Sequence, residues 1–475
     1  MNRRVVVVGG GIAGLAAAHR LIELKKEKSL DIEVVLLEAS TRLGGAIVTE
    51  RVGDFLVEVG PDSFITEKPW ALRLCERLGL TSRLVSTQAA YQKIYIVHRG
   101  RLVALPEGFF LLAPTRLRPF LQTGLFSWRG KLRMAAELFL PRGGNNGDES
   151  LGSFVRRRFG AEALERVAQP LVGGIYASDP DKLSLTATMP RFKEMEQAKR
   201  SIILAMSSEQ KRRARNRESG SGARWSLFVT LAGGMQELVD TITKRLPEGS
   251  VRLNSPVTNL NQDNGKKTWR IGLGSNDSLE AAALILATPA FRAGEMLGNV
   301  ADEVADELKK ISYASTATVN LAYRRRDFPR PLDSFGFVVP AIESRKIMAC
   351  TFSSLKYPGR APDGHVLFRV FVGGSLQPEF FQDNDATMEK NVRDELSSLL
   401  DLKAQPLFCR IWRHPNSMPQ YHVGHQARIQ RIHGQLTTFP SLALAGSAYH
   451  GVGISDCVRT GEEAAERIVN QIDQL

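Results

Sequence analysis

The stretch Val5–Ala18, VVVVGGGIAGLAAA, constrains this chain more than any other. Val5–Val8 is an unbroken β-branched run, the pattern of a strand buried on both faces of a parallel sheet. Gly9, Gly11 and Gly14 follow it as G-x-G-x-x-G. The first permits a tight turn, the second lets a pyrophosphate approach the backbone, and the third lets the next helix pack closely on the strand. Ile12 to Leu24 carries good helix formers, and a helix N-terminus there offers unpaired N–H groups and a positive dipole end to an anion. An apolar run of small residues behind two arginines also has the outline of a secretory signal. Gly9, Gly10 and Gly11 exclude that reading, because they would break the helix a signal needs. Ile32–Glu38 reads as a second parallel strand ending in an acid, 24 residues after Gly14. That is close to the spacing at which a carboxylate takes hydrogen bonds from an adenosine ribose. Together these segments make a dinucleotide site.

At 475 residues the chain exceeds one ordinary core and suggests roughly three units of ~150 residues. With 43% hydrophobic and 24% charged residues it reads as globular, not disordered. Cys75, Cys350, Cys409 and Cys457 show no CxxC pairing, so neither a metal site nor a disulfide framework is expected, and a reducing compartment is. No apolar run reaches about 18 residues, so no transmembrane helix is expected. The formal charge of +13 suits nucleic acid, an anionic membrane surface or a polyanionic small molecule, and also suits no specific partner at all.

The next motif chooses the dinucleotide. EASTRLGGAIVT (38–49) places Arg42, Gly44 and Gly45 directly after the ribose acid. It resembles the E-x-x-x-R-x-G-G extension of flavoproteins in the amine oxidase and glutathione-reductase-like group. LILATPA (284–290) resembles the strand that follows the middle piece of the FAD domain in that group, with Val257 upstream at the adenine-holding position. Residues 441–469 read as strand, glycine-rich crossing and helix. A helix starting near Ile454–Ser455 would point its dipole at the flavin pyrimidine edge. No second G-x-G-x-x-G follows, so NAD(P)H is not expected as electron partner.

The expected architecture is α/β: an FAD-binding Rossmann-like domain of the amine oxidase superfamily, an antiparallel-sheet substrate domain and a helical, membrane-associating insertion. The FAD domain is assigned to 1–90, 221–298 and 412–475. The substrate domain takes 91–104 and 299–411, where ATVNLAY (317–323) and VLFRVFV (366–372) alternate as antiparallel strands should. The helical insertion takes 105–220 and ends in a basic, Gly/Ser-rich loop at Lys211–Gly222. Residues 106–142 hold six Lys/Arg and two Glu among Phe109, Phe110, Phe120, Phe126 and Trp128. That mixture suits a surface lying in a membrane interface, and equally a core helix pair with solvated arginines. Nothing in the chain resembles a nucleic-acid reading module.

Four further stretches point to one family: GPDSF (60–64), PLVGGIYASDPDKLSL (170–185), WRHPNSMPQYHVGH (412–425) and YHGVGISDCV (449–458). Over essentially its whole length the chain resembles the FAD-dependent, oxygen-dependent protoporphyrinogen oxidase family, in the bacterial branch that includes Gram-positive coproporphyrinogen III oxidases. The resemblance implies a six-electron oxidation of a porphyrinogen to a porphyrin in heme biosynthesis, with O2 as acceptor and H2O2 released. It implies non-covalent FAD, no metal, and no catalytic acid or base on the protein. By position in the motifs, FAD is expected to touch Gly9, Gly10, Gly11, Ile12, Ala13 and Gly14, then Glu38, Ala39, Arg42, Gly45 and Ala46. Gly60, Pro61, Asp62 and Ser63 continue the site, with Val257, Trp412, Gly446, Val452, Gly453 and Ile454 closing it.

For the substrate, Phe371 falls where the family stacks an aromatic ring, Val338 and Thr351 where it has leucine-like walls, and Gly174 and Ala177 on backbone lining the cavity. Thr351 departs from the pattern by being smaller and polar. Ile94 stands where mitochondrial and plastid relatives place a propionate-clamping arginine. Lys93 beside it and Lys68 are the nominated cations, and a lysine cannot form arginine's bidentate fork. The lean is to protoporphyrinogen IX. Coproporphyrinogen III is the alternative, and an amine oxidase or a flavin-bound scaffold without turnover is more distant. The same resemblance implies a cytoplasmic location, and peripheral contact at the inner face of the membrane, hand-off to a ferrochelatase and a homodimer stay open.

Overall fold

The Arg3–Val8 strand lies at the centre of a parallel sheet because its valines meet apolar partners on both faces. The structure, a computed structural model, describes residues 3–110, 113–144, 147–209, 226–263, 268–274 and 277–472. The basic segment Lys211–Gly222 and the boundary assigned at 220–221 lie outside the described residues. Five parallel strands run in the order Val251–Arg252, Ile32–Leu37, Arg3–Val8, Ala283–Leu286 and Leu442–Leu444. Val5 and Val7 pack against the Ile12–Glu27 and Ile454–Ile472 helices. Val6 and Val8 pack against a three-stranded antiparallel ribbon and the Ala290–Leu297, Asp302–Lys309 and His425–Gln435 helices. The Ile12–Glu27 and Ile454–Ile472 helices cross at Gly461, where a Cβ would lie 2.2 Å from the Ala13 carbonyl oxygen. A larger residue there would separate them.

A second sheet holds seven strands in the order Phe408–Pro419, Tyr313–Arg324, His365–Gly373, Ala349–Phe352, Ser334–Val338, Lys93–His98 and Arg101–Ala104. All its pairings are antiparallel except Ser334–Val338 with Lys93–His98. Alternation divides its side chains cleanly. Val319, Leu321, Phe368 and Val370 point to the back, where Met388, Val392 and Leu396 of the Asp385–Leu400 helix cover them. Thr318, Asn320, Ala322, Leu367, Arg369 and Phe371 point to the front. There Ala322 and Leu367 join Phe55, Val57 and Val59 in one cluster. This contact fixes the second sheet against the nucleotide-type half.

Between the two lies a helical unit with its own core, including Leu151–Phe159, Gln169–Tyr176 and Pro190–Lys199. At its centre Arg158 and Glu137 form a fully buried ion pair. Glu137 also accepts from Ser201 Oγ at 2.6 Å and Ile202 N at 2.8 Å, so its lone pairs are satisfied as a buried charge requires. The aromatic residues of 106–142 divide. Phe109, Phe120 and Phe126 are buried in this core, whereas Trp128 is 68% exposed, along with Leu117, Leu132 and Phe139. No described helix is long and apolar enough to cross a membrane.

Candidate active site

Two glycine loops are laced together at the end of the central strand. Gly9 has φ +107°, and a Cβ on Gly14 would lie 1.9 Å from the Gly9 carbonyl oxygen, so the turn and the first helical residues pack at backbone distance. Gly11 bridges Gly44, whose N–H donates to the Gly10 carbonyl at 2.8 Å. A Cβ on Gly11 would meet nothing within 4 Å. The cradle is therefore closed below by contacts only glycine allows and open above, where the N–H groups of the Ile12–Glu27 helix lack intrahelical partners.

Glu38 ends its strand with the carboxylate pinned: Oε2 accepts from Gly10 N at 2.6 Å and Oε1 from Ser40 N at 2.8 Å. The Ser255 N–H donates to the Glu38 carbonyl at 2.9 Å, which brings the strand of Val257 alongside the acid. Arg42 donates to the Leu43, Ile47 and Gly45 carbonyls. It staples the second glycine loop from Gly45 to Ile47, and Ala39 and Ala46 flank that staple.

Gly60 follows at close range, since a Cβ there would fall 1.8 Å from the Ala46 carbonyl oxygen. Arg369 Nη1 donates to the Gly60 carbonyl at 2.6 Å. Asp62 is 7% exposed, accepts from Ser63 Oγ at 2.8 Å, and has Lys356 Nζ at 3.0 Å and Arg369 Nη2 at 3.7 Å. Burial alone would raise this carboxyl, but Lys356 and Arg369 hold it well below the usual carboxylate range. The Gly60–Ser63 backbone is thus anchored from the second sheet. Arg369 and Lys356 were not nominated from sequence, although an arginine at an inward position of LFRVFV is a readable signal.

The glycine crossing before the last helix is fixed by a residue of the PQYHVGH motif. The buried Tyr421 hydroxyl donates to the Ser447 carbonyl and accepts from Gly451 N at 2.8 Å, bridging both ends of the crossing. Gly446, at φ +127°, has open space where a Cβ would stand, and its N–H donates to Thr460 Oγ1 at 3.0 Å. The Tyr421 carbonyl accepts from Ser184 N at 2.7 Å, and Gln420 donates to the Tyr176 carbonyl at 3.2 Å. Three motifs distant in sequence, at 173–185, 419–425 and 446–454, therefore meet as one hydrogen-bonded body. His425 stacks on Tyr421 with ring centroids 4.2 Å apart, and burial pushes its pKa down to about 4.

The front of the second sheet supplies a wall. Val338, Ala349, Phe371, Thr318 and Trp412 are successive cross-strand partners in one row. Thr351, Arg369 and Asn320 form the next row. Val338, Thr351 and Phe371 are each half-buried, and the Arg369 guanidinium lies 4.7 Å from the Phe371 ring centroid. Trp412 Nε1 donates to Glu50 Oε1 at 3.1 Å, tying that row to the nucleotide half. Ala177, left-handed at φ 48°, ends the Gln169–Tyr176 helix, and its carbonyl accepts from Ser375 N at 2.9 Å. Gly173 and Ala177 line a narrow crevice with Val339 and Met348. Gly174 is exposed on the same helix.

The two nominated lysines part company. Lys68 Nζ lies 2.6 Å from Asp456 at the start of the last helix, and the Lys68 carbonyl accepts from Ser455 Oγ, so it stands beside Val452, Gly453 and Ile454. Lys93 does not join the wall. Ile94 and Ile96 take the front positions of that strand, and alternation turns Lys93 to the back, where it pairs with Asp333 at 2.7 Å and is 60% exposed.

The sequence profile of flavin-containing amine oxidoreductases matches residues 12–469. The chain belongs to that family. Its cofactor is FAD, and the protein is an FAD-dependent oxidase. Coproporphyrinogen III oxidase of Bacillus subtilis (strain 168) is 36% identical over 98% of this chain and 97% of its own length. Protoporphyrinogen oxidase of Homo sapiens is 32% identical over 99% of each chain. A solved structure from Exiguobacterium sp. 255-15, named for protoporphyrinogen oxidase, superposes with a TM-score of 0.86 at 30% identity over 99% of both chains. The two glycine loops, the pinned Glu38 and the open faces of Gly11 and Gly446 fit an FAD: the cradle offers backbone donors to a pyrophosphate, and space where side chains would otherwise stand.

Proposed function

We propose that this flavin-containing oxidoreductase oxidises coproporphyrinogen III to coproporphyrin III, removing six electrons and six protons while three O2 become three H2O2. The observation that carries the reading is full-length similarity to Gram-positive coproporphyrinogen III oxidases. The Staphylococcus aureus (strain NCTC 8325 / PS 47) enzyme is 34% identical over 99% of this chain and 100% of its own length, and the Bacillus subtilis enzyme is at 36%. The lean toward protoporphyrinogen IX gives way on this comparison.

FAD, when bound, supplies a two-electron acceptor that O2 regenerates. In this reading the Gly9–Gly14 turn with Ile12 and Ala13 receives its pyrophosphate, and Glu38 its ribose. Arg42 keeps Gly45 and Ala46 in place beneath it. Gly60–Ser63, anchored by Arg369 and Lys356, and Val452–Ile454, anchored through Tyr421, would hold its ring system. Val338, Thr351 and Phe371 give the porphyrinogen a flat, largely apolar wall that excludes water and orients the macrocycle. Propionates point toward Lys68 at the mouth. Its side chain is 45% exposed, so a substrate carboxylate can reach the ammonium from the open side while Asp456, only 5% exposed, keeps its partner on the other.

Peripheral membrane contact belongs to the same reading. It is supported by Leu117, Trp128, Leu132 and Phe139, which stand exposed among the exposed Arg118 and Arg129. Cytoplasmic location, hand-off to a ferrochelatase and homodimerisation rest on the resemblance alone. Competition between the two porphyrinogens in one reaction tests the substrate: a higher kcat/KM for coproporphyrinogen III is expected, and a preference for protoporphyrinogen IX would reverse the assignment.

A further inference from the structure

A cleft of about 110 Å³ opens at the outer edge of the parallel sheet. The edge strand Leu442–Leu444 forms its floor, and the His425–Gln435 and Ile454–Ile472 helices form its sides. His433 comes from one helix, and Thr460, Glu463 and Arg467 from the other. Tyr449 and His450 come from the crossing between strand and helix. The two imidazoles lie 5.3 Å apart between centroids.

The charges in this cleft do not balance. Glu463 is occupied by Arg459, whose Nη1 lies 3.2 Å away. Arg467 donates to the Leu436 carbonyl at 3.2 Å, and among the described residues no ion pair involves it. Burial lowers its pKa, and no carboxylate offsets that cost. The Tyr449 hydroxyl is buried without a hydrogen-bond partner, and the residue is only 3% exposed. A half-buried guanidinium lacking an anion and a buried hydroxyl lacking a partner are each expensive. Of the two, only the guanidinium opens to the cavity; the Tyr449 ring is part of the lining while its hydroxyl is wholly buried. A metal ion is a poor occupant, because Arg467 repels it and the described residues contain no cluster of three metal-ligating side chains.

We propose that this cleft binds a small oxyanion, a phosphate or carboxylate group, through the Arg467 guanidinium and the ring N–H groups of His433 and His450. The site is separate from the porphyrinogen reading and does not depend on it. Arg467 can offer a forked pair of donors to such a group. Both imidazoles are held below their ordinary pKa: His433 by burial and Arg467, His450 by burial, His433 and Arg459. Glu463 acts in the opposite direction on His433, and Asp456 on His450. An anion between the rings raises both values, so its affinity increases as pH falls below neutrality.

The test is a titration of the FAD-loaded protein, carrying ¹³C-labelled histidine, with inorganic phosphate and separately with acetate. Saturable shifts confined to His433 and His450, with His98 and His365 unmoved, are expected, along with a rise in both imidazole pKa values. The arm that saturates at lower concentration identifies phosphate or carboxylate as the preferred group. Arg467→Ala should weaken binding about tenfold or more, and Arg467→Lys should retain part of it. An unchanged flavin absorbance spectrum certifies that each variant is folded. Shifts that stay linear in anion concentration, or that are identical in wild type and Arg467→Ala, overturn the proposal.

Discussion

At the scale of single residues, the glycines do two different jobs that one substitution each separates. Gly14 is required by the fold, because a Cβ there would press on the Gly9 carbonyl at 1.9 Å. Gly11 adopts an ordinary φ of −69° with open space around it, so its freedom serves the bound cofactor. Gly11→Ala is expected to leave apo-protein stability within about 0.5 kcal/mol of wild type and to weaken FAD binding at least about tenfold. Gly14→Ala is expected to lower apo stability itself. Chemical denaturation of the two apo-proteins, with flavin fluorescence titration, checks both halves. Equal losses of apo stability would contradict the distinction. Glycine spacing is readable in sequence, but which glycine faces its own backbone and which faces a ligand is not. Lys93 and Arg369 teach the same lesson. Both are cations in strands, and only the register decides that Arg369 faces the wall and Lys93 the solvent.

At the scale of elements, the strands and helices around VVVVGGGIAGLAAA follow from local pattern: continuous valines, then small residues, then an acid at the end of the next strand. The alternating segments 317–323 and 366–372 likewise become neighbouring antiparallel strands. The connection between the PQYHVGH segment and the last glycine crossing does not follow from pattern. It depends on one tyrosine hydroxyl bridging residues about 30 positions downstream, a contact without local periodicity. His425 supports that tyrosine and gives the element a pH signature. Its folded pKa of about 4 lies below the ordinary 6.5. Above pH 6.5 its neutral form contributes fully to stability. As pH falls from 6.5 toward 4 the unfolded chain takes up a proton that the folded one resists, and stability falls. Replacing it in His425→Gln should flatten the pH dependence of Tm between pH 6.5 and 4.5, measured by calorimetry. An unchanged slope would show that the imidazole titrates alike in the folded and unfolded chain.

At the scale of the whole molecule, three bodies meet around one site: a nucleotide-type sheet, a seven-stranded wall and a helical unit. The charge of +13 and the aromatic-basic stretch 106–142 left open whether that unit is buried or surface-active. Packing divides the stretch, with Phe109, Phe120 and Phe126 inside and Leu117, Trp128 and Leu132 outside. In the membrane-contact reading, sedimentation with anionic liposomes at low salt should pellet the protein. The double variant Trp128→Glu, Leu132→Glu should abolish pelleting without changing flavin content. Retention of pelleting would place any membrane contact elsewhere. The most direct measurement of the central claim is the stoichiometry of anaerobically prepared coproporphyrinogen III admitted to the FAD-loaded protein with O2. Three H2O2 per coproporphyrin III formed, with no turnover after flavin removal, is the expected result. Porphyrin formation at the uncatalysed rate, or peroxide without porphyrin, would contradict it.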